Sequence, residues 1–321
     1  MSELRFVGID TSNYTTSGAV CDGEGRVLAN IRLPLAVAEG GRGLRQSDAV
    51  FAHIKNLPAV MERMSDVLDG RSVTAVGVSA TPRDAEGSYM PCFLSGVAAA
   101  TAFAAGAGAP VYRFSHQDGH IMAAGYSSGG LDTLLGGPFC AFHVSGGTTE
   151  IVRVVPDGCR FNVTLLGGTR DLNAGQAIDR AGVAMGLKFP CGPELEKAAL
   201  SYVGKTPKPH VCVDGLECNL SGLENLAAGM YADGHDLPRT AAFVLNFVGH
   251  TLRTLCRNLQ TAYPGEPVLF AGGVMSNSII KNIIGREDGI YYSEPAFSAD
   301  NAAGVALLCR RAWSAEDTRH D

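Results

Sequence analysis

Two histidines, His116 and His120, lie four residues apart in the run Ser115-His116-Gln117-Asp118-Gly119-His120. On an α-helix that spacing puts both imidazoles on one face, with Cβ atoms about 5–6 Å apart, close enough to share one cation. A third ligand has to come from elsewhere. Asp300, in Phe297-Ser298-Ala299-Asp300-Asn301-Ala302-Ala303, is the candidate carboxylate. A His-His-carboxylate set with open positions suits iron or zinc and leaves room for a ligand oxygen. Chance pairing is the competing reading, since the chain carries eight histidines.

Three glycine-bearing turns add a second chemistry. Gly8-Ile9-Asp10-Thr11-Ser12 closes an apolar run, and the hydroxyls of Thr11 and Ser12 with nearby backbone N–H groups can hold phosphate oxygens. Val144-Ser145-Gly146-Gly147-Thr148-Thr149 repeats that pattern, with glycines that let backbone approach a ligand closely. Ala271-Gly272-Gly273-Val274-Met275-Ser276-Asn277 follows a buried strand and opens a helix, a third place to receive a nucleotide. Each turn alone is as well explained as a structural tight turn. The order of phosphate loop, second phosphate loop and nucleoside loop is more specific, and it resembles the ATPase architecture of actin, hexokinase and heat-shock 70.

The elements needed to position these residues are written in the periodicity. Strands are predicted over Leu4–Ser12, Thr15–Cys21 and Arg26–Leu35, the last two split by Asp22-Gly23-Glu24-Gly25. A helix follows over Ser47–Leu68, with apolar residues at helical spacing. Short strands at Val73–Val78 and Pro110–Phe114 flank an alanine-rich helix over Gly96–Ala107, and the second strand leads into the histidine helix. The order then restarts with strands Phe139–Val144, Thr149–Val155 and Cys159–Leu166. Helices over Ala174–Leu187, Glu194–Val203, Ala241–Tyr263, Asn277–Ile284 and Ala302–Trp313, with strands Pro267–Ala271 and Ile290–Tyr292, complete it. Two successive β-β-β-α-β-α units predict two related α/β domains. The first covers residues 1–125, with the C-terminal stretch 300–321 returning to it; the second covers 126–299 and includes a helical insertion. Segment 125–137 is the expected linker.

Bulk properties bound the function. A chain of 321 residues can form two compact domains, and 46% hydrophobic with 18% charged residues fits a globular enzyme. No apolar run reaches the ~18–20 residues that span a bilayer, and the N-terminus lacks a signal-peptide pattern, so no membrane contact and a cytoplasmic location are expected. Nine dispersed cysteines without a CxxC are expected to be reduced and mostly buried. A net charge of −6 argues against an unaided grip on nucleic acid, though not against an RNA substrate delivered with partners.

The chain resembles the TsaD family, the threonylcarbamoyl transferases of tRNA modification formerly labelled O-sialoglycoprotein endopeptidases (peptidase M22), and looks like a divergent paralogue. The resemblance runs over nearly the whole chain. Beyond the motifs above, it is carried by Asn173-Ala174-Gly175-Gln176-Ala177-Ile178-Asp179-Arg180, Phe189-Pro190-Cys191-Gly192-Pro193 and Leu220-Ser221-Gly222-Leu223. It implies two actin-like (ASKHA, ribonuclease-H-like) domains with a nucleotide cleft between them. It also implies a metal, iron or zinc, on His116, His120 and Asp300. Phosphate would be held by Ser145, Gly146 and Gly147, ribose by Asp179, with further contacts from Gly192 and Asn277. With the turn residues Thr11, Ser12, Thr148, Gly272 and Gly273 these make the candidate nucleotide set. An ion pair with a neighbouring arginine is the competing reading of Asp179.

The implied cofactors are one divalent metal ion and an adenine nucleotide (threonylcarbamoyl-AMP, AMP or ATP). The implied reaction moves a threonylcarbamoyl group from threonylcarbamoyl-AMP to N6 of adenosine 37 of tRNA, with the metal polarising the carbonyl and the nucleotide contacts orienting the donor. Members of the family work with partner proteins, commonly a smaller paralogous subunit and a small ATPase.

Three departures bear on the acceptor. Asn13-Tyr14-Thr15 stands where the family carries acidic residues, Thr148 stands where its second glycine loop ends in histidine, and residues 81–91 replace a compact Gly-Pro-Gly loop. Arg83, Glu86 and Tyr89 of that longer loop form either an acceptor pocket or a surface elaboration. Two alternatives therefore stand beside tRNA modification: an adenylate-dependent carbamoyl transfer to a non-tRNA acceptor, and a non-catalytic nucleotide-binding regulatory paralogue.

Overall fold

The computed structural model describes residues 3–12, 14–36, 44–298 and 301–317, so Asn13 and Asp300 lie outside the described residues. The chain divides into two compact units: Met1–Ser127 with Pro156–Phe161 and Ala296–Asp321, and Ser128–Val155 with Asn162–Pro295. The first runs β1 (Arg5–Asp10), β2 (Thr15–Asp22), β3 (Val27–Pro34), α1 (Gln46–Leu68), β4 (Ala75–Thr81), α2 (Phe93–Ala107), β5 (Val111–Ser115) and α3 (His116–Ser127). The second holds α4 (Leu131–Leu135), β6 (Phe139–Val144), β7 (Thr149–Asp157), β8 (Arg160–Thr169), α5 (Ala174–Ala184) and α6 (Gly192–Leu200). It continues with β9 (Cys212–Asp214), β10 (Glu217–Asn219), α7 (Gly222–Ala232), α8 (Leu237–Ala262), β11 (Val268–Ala271), α9 (Ser278–Ile284) and β12 (Ile290–Tyr292). After α10 (Pro295–Ser298), α11 (Ala303–Asp317) closes the first unit.

Both sheets repeat one order. The first is β3-β2-β1-β4-β5, and the second contains β8-β7-β6-β11-β12 in the corresponding places, extended beyond β8 by β10 and β9. In each, a strand pairs antiparallel with the next in sequence and parallel with one that arrives after helical segments, β1 with β4 and β6 with β11.

Strand β1 is buried along its whole length and has a helix layer on each side. Val7 and Ile9 join Leu57, Val60 and Met64 of α1 and Ala100 and Ala104 of α2 in one apolar cluster. The alternate residues face α11, whose backbone comes so close that a Cβ on Gly8 would lie 2.5 Å from Ala302 O and Ala306 N. Asp10 follows that alternation, a carboxylate ending a strand that is apolar from Phe6 to Ile9.

In the second unit α8 is the core, with Ala241–Leu245, Phe247, Val248, Leu252, Leu255 and Leu259 all buried. Its start lies at Leu237, four residues ahead of the sequence expectation, because Asp236 accepts the Arg239 N–H (3.0 Å) and Pro238 supplies a preset φ at the first turn. Phe142, Phe270 and Tyr292 stack across β6, β11 and β12 at centroid distances of 4.5 and 5.3 Å. Segment 125–137 holds the boundary between the units, at Ser127 and Ser128, and is helical on either side of it. Helix α3 runs to Ser127, and α4 follows because Leu134 finds a buried position.

Asp171 ties α5 to the insertion that follows α6. It accepts from Leu220 N (2.8 Å), Ser221 Oγ (2.6 Å) and Asn219 Nδ2 (3.1 Å). Partial burial pushes its carboxyl up, yet the hydrogen bonds, led by that from Leu220, hold it well below the usual carboxylate range. A folded-state pKa below the unfolded value near 3.9 gives a stabilisation that is complete at neutral pH and fades as pH falls through the acid range. Asp171→Ala should therefore lower unfolding free energy by about 1 kcal/mol at pH 7, since the site is solvent-screened. The difference from wild type should shrink steadily in melts taken from about pH 4 down to about pH 2; a constant difference would contradict this account.

Candidate functional site

The histidine helix begins where a capping box starts it. Ser115 Oγ accepts the Asp118 N–H (3.0 Å), and Asp118 Oδ2 accepts the Ser115 N–H (3.2 Å), the reciprocal pair expected of Ser-x-x-Asp. Asp118 Oδ1 takes the Phe161 N–H (3.1 Å), so both carboxyl oxygens are engaged. Its burial raises the carboxyl pKa against these bonds. With the helix starting there, His116 and His120 share a face, and their Nε2 atoms approach to 2.8 Å.

Asp10 orients the first ring. Fully buried, it accepts from His116 Nδ1 (2.7 Å), Ser79 Oγ (2.6 Å), Ser12 N (2.7 Å) and the Ser12 hydroxyl. Burial alone would raise its pKa, but the His116 charge and these donors outweigh it and hold the carboxyl below its usual range. An ionised carboxylate only accepts, so His116 Nδ1 carries the hydrogen and Nε2 is left toward His120. Two ring nitrogens at 2.8 Å need a proton or a cation between them. A carboxylate behind a ligating imidazole is the support that metal-bound histidines use, so this pair fits a metal. The candidate third ligand, Asp300, lies outside the described residues, and among the described residues no three of His, Cys, Asp and Glu are placed to hold one metal ion.

The replacement loop starts at this corner. Gln117 N donates to Pro82 O (3.1 Å), Ser88 Oγ accepts from Arg83 N (3.0 Å), and Asp84 pairs with Arg160 (2.9 Å). Arg83, Glu86 and Tyr89 are exposed, Tyr89 at 63%, and the internal bonds of the loop leave those three side chains outside them.

The second unit carries a pocket of ≈ 280 Å³, near the lower end of small-molecule sites at ~300 Å³. Gly146 of the β6–β7 turn lines it. Ser145 N bonds Thr148 O (2.7 Å), and Ser145 Oγ accepts from Gly147 N (3.2 Å) and Thr148 N (3.0 Å). Helix α5 docks on that turn: Gly175 N donates to Ser145 O (3.1 Å), and a Cβ at 175 would lie 2.7 Å from Gly146 Cα. The third turn presses on the same strand end. Gly272 has φ 103, and any Cβ there would overlap Val144 O.

Of the residues expected from sequence, Gly146, Asp179, Gly192, Gly273 and Asn277 line this pocket. Asp179 Oδ1 accepts from Cys191 N (2.7 Å), while Arg180 turns to Glu224 (3.5 Å), so the competing ion pair does not form. Asn277 caps α9 by accepting from Ile280 N (3.0 Å). Ser145, Gly147, Thr148 and Gly272 shape the turns without lining the pocket. Thr11 and Ser12 belong to the first unit, with hydroxyls turned inward: Thr11 Oγ1 donates to Cys92 O (2.9 Å) and accepts from Gly96 N (3.0 Å). Pro190 and Glu196 also line the pocket, and sequence reading did not single them out. Glu196 is there because it accepts from Ser278 N (2.7 Å) at the start of α9.

Two units with a common strand order, glycine turns at the ends of β6 and β11 and a pocket beside them define the actin-like (ASKHA) class. Solved structures of that class align over most of the chain. The activator of the 2-hydroxyisocaproyl-CoA dehydratase from Clostridium difficile, with bound ADPNP, has TM-score 0.54 at 11% identity, covering 98% of this chain and 97% of its own. A ROK family glucokinase from Streptomyces griseus, with glucose and AMPPNP, has TM-score 0.50 at 14% identity, covering 95% and 98%. T. kodakarensis HypF has TM-score 0.55 at 12% identity, covering 97% of this chain and 48% of its own. At such identities these likenesses show the fold alone.

A family model described as "TsaD: tRNA N6-adenosine threonylcarbamoyltransferase" matches residues 26–307, and the chain belongs to the TsaD family. Its class of chemistry is transfer of a carbamoyl-type group. No helix among the described residues is long and apolar enough to cross a membrane.

Proposed function

We propose that this chain moves a threonylcarbamoyl group from threonylcarbamoyl-AMP to the N6 amine of adenosine 37 of tRNA. The observation that carries this reading is the second-unit pocket, which gathers Gly146, Asp179, Gly192 and Asn277, four positions that the family resemblance gives to nucleotide, with Gly273 of the third glycine turn. Adenylate binding there is further supported by the ADPNP and AMPPNP of the fold relatives. In the reaction the N6 lone pair attacks the carbamoyl carbon. The carbon–oxygen bond to phosphate breaks, AMP leaves with that electron pair, and N6 loses a proton.

Ser145, Gly146 and Gly147 hold the phosphate, with the Gly146 N–H, which lies outside the turn's own hydrogen bonds, donating to it, and Asp179 accepts from ribose hydroxyls, so the donor carbonyl is oriented before attack. His116 and His120, with Asp300, would hold iron or zinc, which would supply Lewis-acid chemistry toward a carbonyl. Asp10 keeps the His116 ring in the required tautomer. The chain works in the cytoplasm with a smaller paralogous subunit and a small ATPase, as its family does.

One observation favours a second acceptor. Tyr14 and Thr15 bring no carboxylate to the β1–β2 turn, and the Tyr14 carbonyl is taken by Leu35 N (2.7 Å). The same transfer to a non-tRNA acceptor follows from that reading. Incubation with threonylcarbamoyl-AMP, with and without unmodified tRNA, separates the possibilities. Modified adenosine in the tRNA is the expected result. AMP release without it assigns another acceptor, and tight adenylate binding without turnover assigns a regulator. Asp179→Ala should weaken adenylate binding roughly 10–100-fold by calorimetry, the worth of hydrogen bonds to a charged group. Unchanged affinity would remove the ribose role.

A further inference from the structure

In a chain with 32 acidic and 26 basic residues, one region of the second unit runs the other way. His250, Arg253 and Arg257 of α8 stand at i, i+3 and i+7, on one face and about 10 Å from end to end. The opposite face, with Leu252, Leu255 and Leu259, is core. The segment Lys205-Thr206-Pro207-Lys208-Pro209-His210 leads into β9, which is tied down beside α8 where Asn258 Nδ2 donates to Gly215 O (2.7 Å). Lys205, Lys208, His210 and Arg257 are exposed, and His250 and Arg253 are half-buried.

That these groups share one space is visible at His250. Burial lowers its pKa first, and then Arg253, Lys208 and Arg257 press it down further. Among the described residues none of the four fixed cations is ion-paired; four of the second unit's acids are committed elsewhere, Asp214 and Glu217 to Arg170, Glu224 to Arg180 and Glu266 to Arg153. Glu287 is the acid that acts on this part of α8, where it and Arg257 oppose each other at Cys256. The two prolines restrict the segment's backbone, so the lysines are presented with less conformational freedom to lose on binding.

We infer that this face of α8, with the Lys205–His210 segment, is a docking surface for the phosphodiester backbone of RNA. The inference rests on the tRNA-acceptor reading above and adds where the acceptor is held. Charge complementarity carries it: unpaired, spaced Lys and Arg are what phosphate contacts require, and a chain of net charge −6 needs such a local surface to hold a polyanion. Contacts of this kind position the substrate and read no sequence.

The test uses the full chain and labelled unmodified tRNA, with binding followed by anisotropy between about 50 and 200 mM salt. A triple variant, Lys208→Ala, Arg253→Ala and Arg257→Ala, should raise the dissociation constant roughly tenfold or more. It should also lower the slope of log affinity against log salt by about 2–3, close to 0.9 for each lost phosphate contact. AMP affinity at the pocket lined by Gly146, Asp179 and Asn277 reports that the variant is folded. Arg253→Lys with Arg257→Lys should keep most of the binding, because a phosphate needs the charge more than the guanidinium fork. Unchanged affinity and slope in the triple variant, with wild type binding tRNA, would overturn the docking surface and leave the acceptor reading intact. Absence of tRNA binding by wild type would overturn the docking surface, and the tRNA-modification assay above then decides the acceptor reading on its own. Polyglutamate that competes as well as tRNA would overturn the RNA assignment in favour of an acidic protein surface.

Discussion

Asp10→Ala is expected to destabilise the first unit by about 3–5 kcal/mol, the range seen when one partner of a buried charged network is removed. The carboxylate has no exposure, and its loss leaves Ser79 Oγ–H, the Ser12 N–H and the His116 ring without their acceptor. Each buried donor stranded in this way costs roughly 1–3 kcal/mol. The His116 ring also loses the group that fixes its tautomer, so iron or zinc affinity should fall about 10–100-fold. Asp10→Asn separates the two effects. It keeps the volume and one acceptor oxygen, so most of the stability should remain while metal affinity still drops. Denaturant melts and a chelator-competition titration read the two quantities independently. If Asp10→Asn binds metal as tightly as wild type, Asp10 does not support the pair.

Gly304→Ala should destabilise by about 3 kcal/mol or more, beyond the usual penalty for an added methyl in a packed core, because what it meets is backbone. A Cβ at 304 would overlap Gly119 O and lie 2.9 Å from Ala123 N, both on the histidine helix. Neither can move without shifting α3 or α11 as a body. The reciprocal change, Gly119→Ala, meets only the Val305 side chain at 3.0 Å and should cost much less. Thermal melts of the pair check this asymmetry. A Gly304→Ala chain within 0.5 kcal/mol of wild type would mean the helices are not in contact here, a difference small enough for an ordinary surface change (about 0.5 kcal/mol).

What sequence could reveal followed from locality. The histidine pair was legible because its spacing, its Ser-x-x-Asp start and its shared face all lie within six residues, Ser115 to His120. The succession of strands and helices in the two units followed from alternation and glycine turns. Asp10 was read only as part of a turn, because its partners lie 69 and 106 residues away and no local pattern announces them. Thr11 and Ser12 were read as phosphate contacts; hydroxyls at a turn look the same whether they face solvent or, as here, the interior. Strands β9 and β10 escaped notice because three residues are too few to show alternation, and α7 because a glycine and a short apolar stripe resemble a loop.

The double engagement of Asp118 gives the histidine corner a particular mechanical character. One oxygen starts the helix and the other grips the Phe161 amide, so the winding of that first turn and the seating of residues 156–161 are parts of one cooperative event. Fraying, the common weakness of a helix end, is here barred until an unrelated stretch of backbone lets go. The imidazole pair is thereby as durable as the hairpin tip fastened to it.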